Sequence, residues 1–133
     1  MRGILINAYK KTVTEVELPD ATGQWLDKVY ELLSQDMPTG KCDMIEVGWR
    51  IPRQDSKSKE DTIYVDEEGL LKPSDHFFYF EGAHQPFAGS GLICGSDNRT
   101  GKACGAEMDI LSVLSKVRFL TRSEAACRAA VGG

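Results

Sequence analysis

The sequence lacks the short motifs that identify many enzymes and metal-binding proteins. It contains no G-x-S-x-G nucleophile elbow, no Walker phosphate-binding loop and no H-E-x-x-H zinc helix. Its four cysteines include no C-x-x-C pair, since even the closest two, Cys94 and Cys104, are separated by nine residues. We therefore expect no metal site, no cofactor and no catalytic residue, and interpret the chain as a binding protein.

Histidine, the usual acid-base group, is also scarce. His76 opens an apolar run and His84 lies in a polar stretch, and a structural role is the simpler interpretation of both. Cys94 and Cys104 flank the loop that follows His84, but a thiol nucleophile needs a base beside it and the sequence does not require that proximity. A nucleotide-processing enzyme that uses His84 or Cys104 therefore stays an alternative.

Long apolar runs and blocks of basic residues are missing as well. No run approaches the roughly 18 residues needed to cross a bilayer, so we expect no membrane contact. The formal net charge is -4, and the lysines and arginines are spread along the chain, which argues against a duplex nucleic-acid partner. A few converging cations would still suffice for a small ligand with one or two phosphates.

The composition that remains is that of an ordinary globular protein, with 41% apolar and 27% charged residues. A length of 133 residues is typical of one domain, so we interpret residues 1–133 as a single ligand-binding domain. Met1 leads directly into a strand-like run without a secretory signal pattern, and we expect a cytoplasmic protein with reduced thiols. Two disulfides are the alternative.

Hydrophobic periodicity predicts an α+β fold with a mainly antiparallel sheet and helices packed against it. Apolar or alternating runs predict strands near residues 4–6, 12–18, 45–51, 63–65, 76–80, 92–94 and 117–120. Helical spacing predicts a helix near 22–35, a short helix after Asp109 and a third in the alanine-rich C-terminal segment. Thr22, Asp109 and Ser123 are the expected N-caps.

Four local patterns carry further structural predictions. Alternation from Ile45 to Ile51 predicts a strand whose single apolar face meets the first helix. The turn at Asp66–Gly69 predicts a hairpin in which the glycine adopts a positive φ. Residues 52–61 are almost wholly polar and predict a mobile loop in which no side chain is buried at low cost. Residues 123–133 predict a loosely attached tail or an assembly contact.

The most informative stretch is the glycine-rich segment from Phe80 to Gly95. Four glycines fall within fourteen residues and permit sharp turns or close approach of the backbone to another group; they are Gly82, Gly89, Gly91 and Gly95. Exposed amides of the Gly-Ser-Gly turn would hold phosphate oxygens, and Phe80 would offer a flat face to a base. In the structural alternative, the glycines form tight connections between strands and Phe80 lies in the core. The spacing of the glycines alone favours this alternative. The surrounding polar residues favour a ligand site; they include Glu81, His84, Gln85, Ser90, Asp97, Asn98, Arg99 and Lys102.

The same stretch resembles a known protein family. Phe80 and Gly82 precede the segment Gln85–Asp97, which has the pattern Gln-Pro-x-Ala-Gly-x-Gly-Leu-x-x-Gly-x-Asp. Together with the opening Met-Arg-Gly-Ile-Leu-Ile strand, the acidic second strand and the turn Asp-Glu-Glu-Gly-Leu-Leu, it is similar to the first-described family of Thoeris anti-defence proteins. Phages and prophages encode this family, and the resemblance covers most of residues 1–120.

The resemblance implies a sponge that binds a cyclic ADP-ribose isomer made by a bacterial TIR-domain defence enzyme and holds it uncleaved. It also implies cyclic oligonucleotides as further ligands and assembly into dimers and larger rings. The family's aromatic stacking residue falls on Phe80, and the polar residue of its Gly-x-Gly turn falls on Ser90, where this chain departs from the family's asparagine. The family uses arginine against phosphate, for which the planar guanidinium is suited; the candidates here are Arg99, Arg118 and Arg122. The expected ligand-binding set is completed by Gln85, Gly89 and Gly91.

Two alternatives from other functional classes stay open. One is a protein-protein inhibitor that blocks a host defence enzyme through its sheet or a helix face. The other is the nucleotide-processing enzyme described above. A stoichiometric host partner without nucleotide would favour the first, and an altered ligand recovered from the protein would favour the second.

Overall fold

The computed structural model describes residues 1–20, 23–38, 40–54, 56–72 and 74–132, with side chains as far as Arg128. Within these ranges the chain forms nine strands and three helices. The strands are β1 Arg2–Asn7, β2 Thr12–Glu17, β3 Ile45–Pro52, β4 Lys59–Asp66, β5 Phe77–Phe80, β6 Phe87–Ala88, β7 Gly91–Asp97, β8 Lys102–Cys104 and β9 Val117–Leu120. The helices are α1 Trp25–Ser34, α2 Ile110–Lys116 and α3 Arg122–Gly132.

The strands form two sheets in which the pairings are antiparallel. The larger sheet has the order β2-β1-β7-β4-β3, with β8 added beside β7. The smaller sheet has the order β6-β5-β9. The predicted α+β fold with a mainly antiparallel sheet is therefore confirmed. The glycine-rich segment leads into β7, the central strand of the larger sheet.

The two faces of the larger sheet bury different clusters, because successive side chains of a strand point to opposite sides. One face packs against α1, and its cluster includes Leu5, Leu92, Cys94, Val29, Leu32 and Leu33. The other face packs against the smaller sheet, and its cluster includes Ile4, Ile63, Ile93, Phe78 and Phe80. The larger sheet is thus the middle layer between α1 and the smaller sheet.

Strand β3 departs from the predicted alternation. Its register against β4 shifts between Val47 and Trp49, so Gly48 forms a β-bulge. One extra residue turns all following side chains to the other face of a sheet. Ile45 therefore packs toward α1, whereas Trp49 and Ile51 pack toward the smaller sheet. The prediction of a single apolar face that meets α1 is wrong for this reason.

The helix starts agree only in part with the predicted caps. Asp109 caps α2, as predicted, by accepting a hydrogen bond of 2.7 Å from a backbone amide of the first turn. At α3, Thr121 and Glu124 form a reciprocal capping box with bonds of 3.2 and 3.0 Å, so the prediction of Ser123 as the cap is wrong. Helix α1 begins at Trp25, and Thr22 lies outside the described residues.

The turn after β4 is not the predicted hairpin. The side chain of Asp66 accepts a hydrogen bond of 2.9 Å from the amide of Glu68, which supplies the turn geometry. Gly69 then begins a short 3₁₀ turn and does not adopt a positive φ. The next strand, β5, belongs to the other sheet, so both predictions for this turn are wrong.

The polar segment 52–61 contains a buried carboxylate. Asp61 is only 1% exposed and accepts a hydrogen bond of 2.9 Å from Arg53. It also accepts hydrogen bonds from the backbone amides of Glu107 and Met108, just before α2. The expectation that no side chain of this segment is buried at low cost does not hold for Asp61, because charge-assisted hydrogen bonds offset the loss of hydration.

The C-terminal segment packs against the smaller sheet through the first half of α3. Ala125 is buried in a cluster with Phe77 and Ala88. The guanidinium of Arg122 lies 5.1 Å from the centre of the Phe77 ring. These contacts fix the position of α3 beside β5 and β9, where the site described next is found.

Candidate functional site

The glycine-rich segment lies mostly in the core. Phe80 is 2% exposed and belongs to the cluster between the two sheets, so its ring offers no free face within this chain. A Cβ at Gly91 would lie 2.6 Å from Cζ of Phe78, and a Cβ at Gly95 would overlap the guanidinium of Arg53. Gly91 and Gly95 lie within β7 and allow close packing of neighbouring side chains, whereas the structural alternative assigned these glycines to turns.

The Gly89–Ser90 turn is also buried. Gly89 has a φ of +77°, and its amide donates a hydrogen bond of 2.9 Å to the carbonyl of His76, so this amide is not a free donor. Ser90 is 3% exposed, and among the described residues its Oγ has no hydrogen-bond partner. Buried hydroxyls without a partner are uncommon in folded proteins, which keeps Ser90 a candidate for a polar contact.

The structure separates the three predicted arginines. Arg99 lies in the exposed turn after β7, and the length of that strand places it roughly 20 Å from Ser90. Arg122 donates hydrogen bonds of 2.8 and 3.2 Å to two backbone carbonyl groups, which assigns it a structural role at the start of α3. It lines a small hollow of about 210 Å³ together with Gln85. Arg118 is exposed on β9 and lines a larger cleft.

This larger cleft, here named the α3 cleft, has a volume of about 730 Å³ and is formed by the smaller sheet and α3. Its lining combines an aromatic ring, two guanidinium groups, an imidazole, a carboxylate and a thiol; they belong to Tyr79, Arg118, Arg128, His84, Glu124 and Cys127. A more open cleft of about 900 Å³ is lined by Glu17, Asp20 and Lys28 without an aromatic side chain. The α3 cleft is the better match for an anion with a flat ring.

The strand register and α3 together assemble the aromatic and cationic groups of the cleft. Tyr79 on β5 and Arg118 on β9 are directly paired, so their side chains share one face of the smaller sheet. The hydroxyl of Tyr79 donates a hydrogen bond of 3.0 Å to the carbonyl of Ala83, which fixes the ring. From α3, the guanidinium carbon of Arg128 lies 4.1 Å from the centre of the Tyr79 ring. One aromatic face thus lies beside two cations.

His84 borders the cleft in the turn after β5. Its ring meets Trp49 edge-on, with centroids 5.1 Å apart and planes at 89°. Cys104, the other residue of the enzyme alternative, lies at the end of β8 with its Sγ 3.9 Å from Arg53. The thiol that lines the cleft with His84 is Cys127, and Cys104 lies outside this cleft.

The local charge of the cleft differs from that of the whole chain. Its lining carries two arginines and one glutamate, whereas the complete chain has a net charge of -4. Such a local excess of cations attracts small anions even to an acidic protein. The one glutamate is Glu124, and the hydrogen bond from the backbone amide of Thr121 lowers the pKa of its carboxyl.

The sequence interpretation found Arg118 but missed Tyr79 and Arg128. Two signals point to them. In the run from Phe77 to Phe80, tyrosine is the one residue with a polar tip, which suits a position at the edge of the core. The T-x-x-E pattern at Thr121 is a capping box, and a helix that starts there places Glu124 and Arg128 on one face, four residues apart.

Alkylation of Cys127 is expected to report occupancy of the α3 cleft. Burial raises the pKa of Cys42 to about 11 and that of Cys94 to about 12, so neither thiol reacts readily at neutral pH. Cys127 is exposed. We expect iodoacetamide to modify Cys127 first, and ligand at about ten times its Kd to slow this reaction about tenfold, as followed by peptide mass spectrometry.

Half-buried Cys104 provides the internal control for that experiment, since it lies outside the cleft. Its alkylation rate is expected to stay the same with and without ligand. Unchanged labelling of Cys127 at saturating ligand would place the binding site elsewhere.

Comparisons with protein-family models, with curated proteins and with solved structures give no match for the chain. Over the described ranges, the helices are too short or too polar to span a membrane. In the same part of the chain, no group of three or more His, Cys, Asp or Glu side chains is placed to hold a metal ion.

Proposed function

We propose that the protein binds a small cyclic nucleotide signal and sequesters it without cleaving it, as a phage-type anti-defence sponge. The expected ligands are cyclic ADP-ribose isomers, with cyclic oligonucleotides as members of the same chemical class. Such a sponge acts in the cytoplasm of the host cell, and the assembly into oligomers implied by the resemblance belongs to the proposal. The observation that carries it is the α3 cleft, where an aromatic face meets two guanidinium groups.

The chemistry of the cleft corresponds to the chemistry of these ligands. An adenine ring is flat and stacks on aromatic rings and on guanidinium planes. The Tyr79 ring is fixed by a hydrogen bond and the Arg128 guanidinium lies over one of its faces, so the two groups together form the stacking platform. A pyrophosphate carries two negative charges, which the guanidinium groups of Arg118 and Arg128 bind through paired hydrogen bonds. A cleft of about 730 Å³ lies within the usual size range of small-ligand pockets.

The proposed contact residues differ in part from those that the resemblance implies. Tyr79 takes the stacking role of buried Phe80, and Arg128 joins Arg118 in place of Arg99 and Arg122. Ser90 stays a candidate for a deeper polar contact because its hydroxyl lacks a partner among the described residues.

Isothermal titration calorimetry with cyclic ADP-ribose isomers and cyclic oligonucleotides tests the proposal. Sequestration requires a Kd well below the signal concentration, so we expect submicromolar binding, equivalent to about -8 kcal/mol or better. Chromatography of ligand released by heat is expected to return it unchanged, whereas a modified product would favour the enzyme alternative. The absence of heat with every ligand would contradict the proposal.

A second candidate function is inhibition of a host defence enzyme by direct contact. Exposed leucines favour it, since Leu111 and Leu114 on α2 are 78% and 49% exposed and Leu71 is 86% exposed. A pull-down that recovers a stoichiometric host protein without nucleotide would support this function over sequestration.

A further inference from the structure

One acidic side chain lies among the cations of the α3 cleft. Glu124 accepts a hydrogen bond of 3.0 Å through Oε1 from the amide of Thr121, and its own amide donates 3.2 Å to Oγ1 of Thr121. This capping box holds the carboxylate at the mouth of the cleft, where it lines the same space as Arg118 and Arg128. Within the cleft its charge repels phosphate, so a site for phosphate alone would be better served by glutamine, which also completes a capping box.

The carboxylate is useful for a ligand that also carries hydrogen-bond donors. An ionised carboxylate accepts hydrogen bonds and donates none, and its two oxygens offer about four lone-pair sites. Among the described contacts of Glu124, only Oε1 is engaged. The remaining acceptor sites match hydroxyl groups, such as the ribose hydroxyls that accompany the phosphate and the base in a nucleotide.

The spacing on α3 agrees with this match. Glu124 and Arg128 are four residues apart on one helix face, so their side chains are neighbours about 5 to 6 Å apart at Cβ. Arg128 lies over the Tyr79 ring, and Arg118 is paired with Tyr79 across the strands. The cleft therefore combines a ring platform, phosphate donors and a hydroxyl acceptor within the span of one nucleotide.

We propose that Glu124 binds ribose hydroxyls and makes the α3 cleft select nucleotides over simple phosphate anions. This inference rests on the proposed function, which supplies the ligand class. Glu124 accepts hydrogen bonds from the hydroxyls and repels anions that lack hydroxyls. The specificity for nucleotides arises from both effects.

The variant Glu124→Gln tests this role while keeping the capping box, because glutamine also serves at that position. The probes are cyclic ADP-ribose, its analogue with ribose hydroxyls replaced by hydrogen, and pyrophosphate. Loss of the charge-assisted hydrogen bonds is expected to lower the affinity for cyclic ADP-ribose about tenfold. The affinity for the deoxy analogue is expected to stay the same within about twofold. Pyrophosphate is expected to bind several times more tightly, because the repulsion is gone.

The matched control is Glu31→Gln on α1, which removes the same charge outside the cleft and is expected to change none of the three affinities. Circular dichroism and melting temperature check that α3 is intact in Glu124→Gln. If the wild type binds cyclic ADP-ribose and Glu124→Gln binds all three probes as the wild type does, the role of Glu124 is wrong while sequestration stands. If the wild type binds none of the cyclic ADP-ribose isomers or cyclic oligonucleotides, both proposals are wrong.

Discussion

Replacing Asp61 by alanine is expected to lower the free energy of unfolding by about 3 to 5 kcal/mol. The carboxylate is 1% exposed and joins Arg53, which follows β3, to the backbone just before α2. Its loss leaves two amides without their acceptor and a guanidinium, itself 12% exposed, without its nearest counter-ion. Glu107 also lies 3.3 Å from Arg53 but is 45% exposed, so it offsets only part of the loss. Urea denaturation measures the change.

Asp43→Ala is the matched control, because Asp43 is 60% exposed and 4.0 Å from its partner lysine. A change below about 0.5 kcal/mol is expected there. Combining Asp61→Ala with Arg53→Met is expected to cost less than the sum of the two single changes, since each single change strands one charge. Equal stability losses for Asp61→Ala and Asp43→Ala would show that the buried pair does not hold β4 to the α2 segment.

The double substitution of Arg118 and Arg128 by glutamine is expected to weaken binding of cyclic ADP-ribose isomers by roughly a hundredfold or more, about tenfold for each guanidinium. Glutamine keeps part of the aliphatic stem and removes the charge and the forked donors. The substitution at position 128 also removes the contact between the guanidinium and the Tyr79 ring, which weakens the stacking platform. Calorimetry gives the affinity, and a melting curve verifies the fold.

The control for charge is the pair Arg99→Gln, in the turn after β7, and Lys102→Gln, at the start of β8. It removes the same two positive charges at a place outside the cleft, where salt screens the long-range attraction, so the affinity should stay within about twofold. Comparable losses in both double variants would indicate general attraction of anions. Full binding by the cleft variant would direct the search to Ser90.

Much of the fold follows from local patterns of apolar residues. The apolar run from Ile4 to Ile6, the cap at Asp109 and the strand after α2 all appear where hydrophobicity and capping place them. The bulge at Gly48 does not, since residues before and after it alternate in the same way and only the partner strand reveals the shift. Asp61 likewise has the composition of a loop residue, and its partners are remote in sequence.

The candidate site was harder to predict than the fold. The run from Phe77 to Phe80 is aromatic throughout, so periodicity does not separate the buried ring of Phe80 from the half-buried ring of Tyr79. The decisive information is the pairing of β5 with β9, which brings Arg118 beside Tyr79 from 39 positions away. Predicting Arg128 as a site residue requires the position of α3 against this sheet, and that position depends on the burial of Ala125.

The bulge at Gly48 has a consequence for the behaviour of the protein in concentrated solution. Strand β3 is an outer strand of the larger sheet, and an outer strand with a regular row of free backbone groups recruits strands of other molecules into aggregates. The bulge interrupts that row midway, and Pro52 at its end has no amide hydrogen to donate. At high concentration, such an irregular edge keeps copies of the protein from joining through β3.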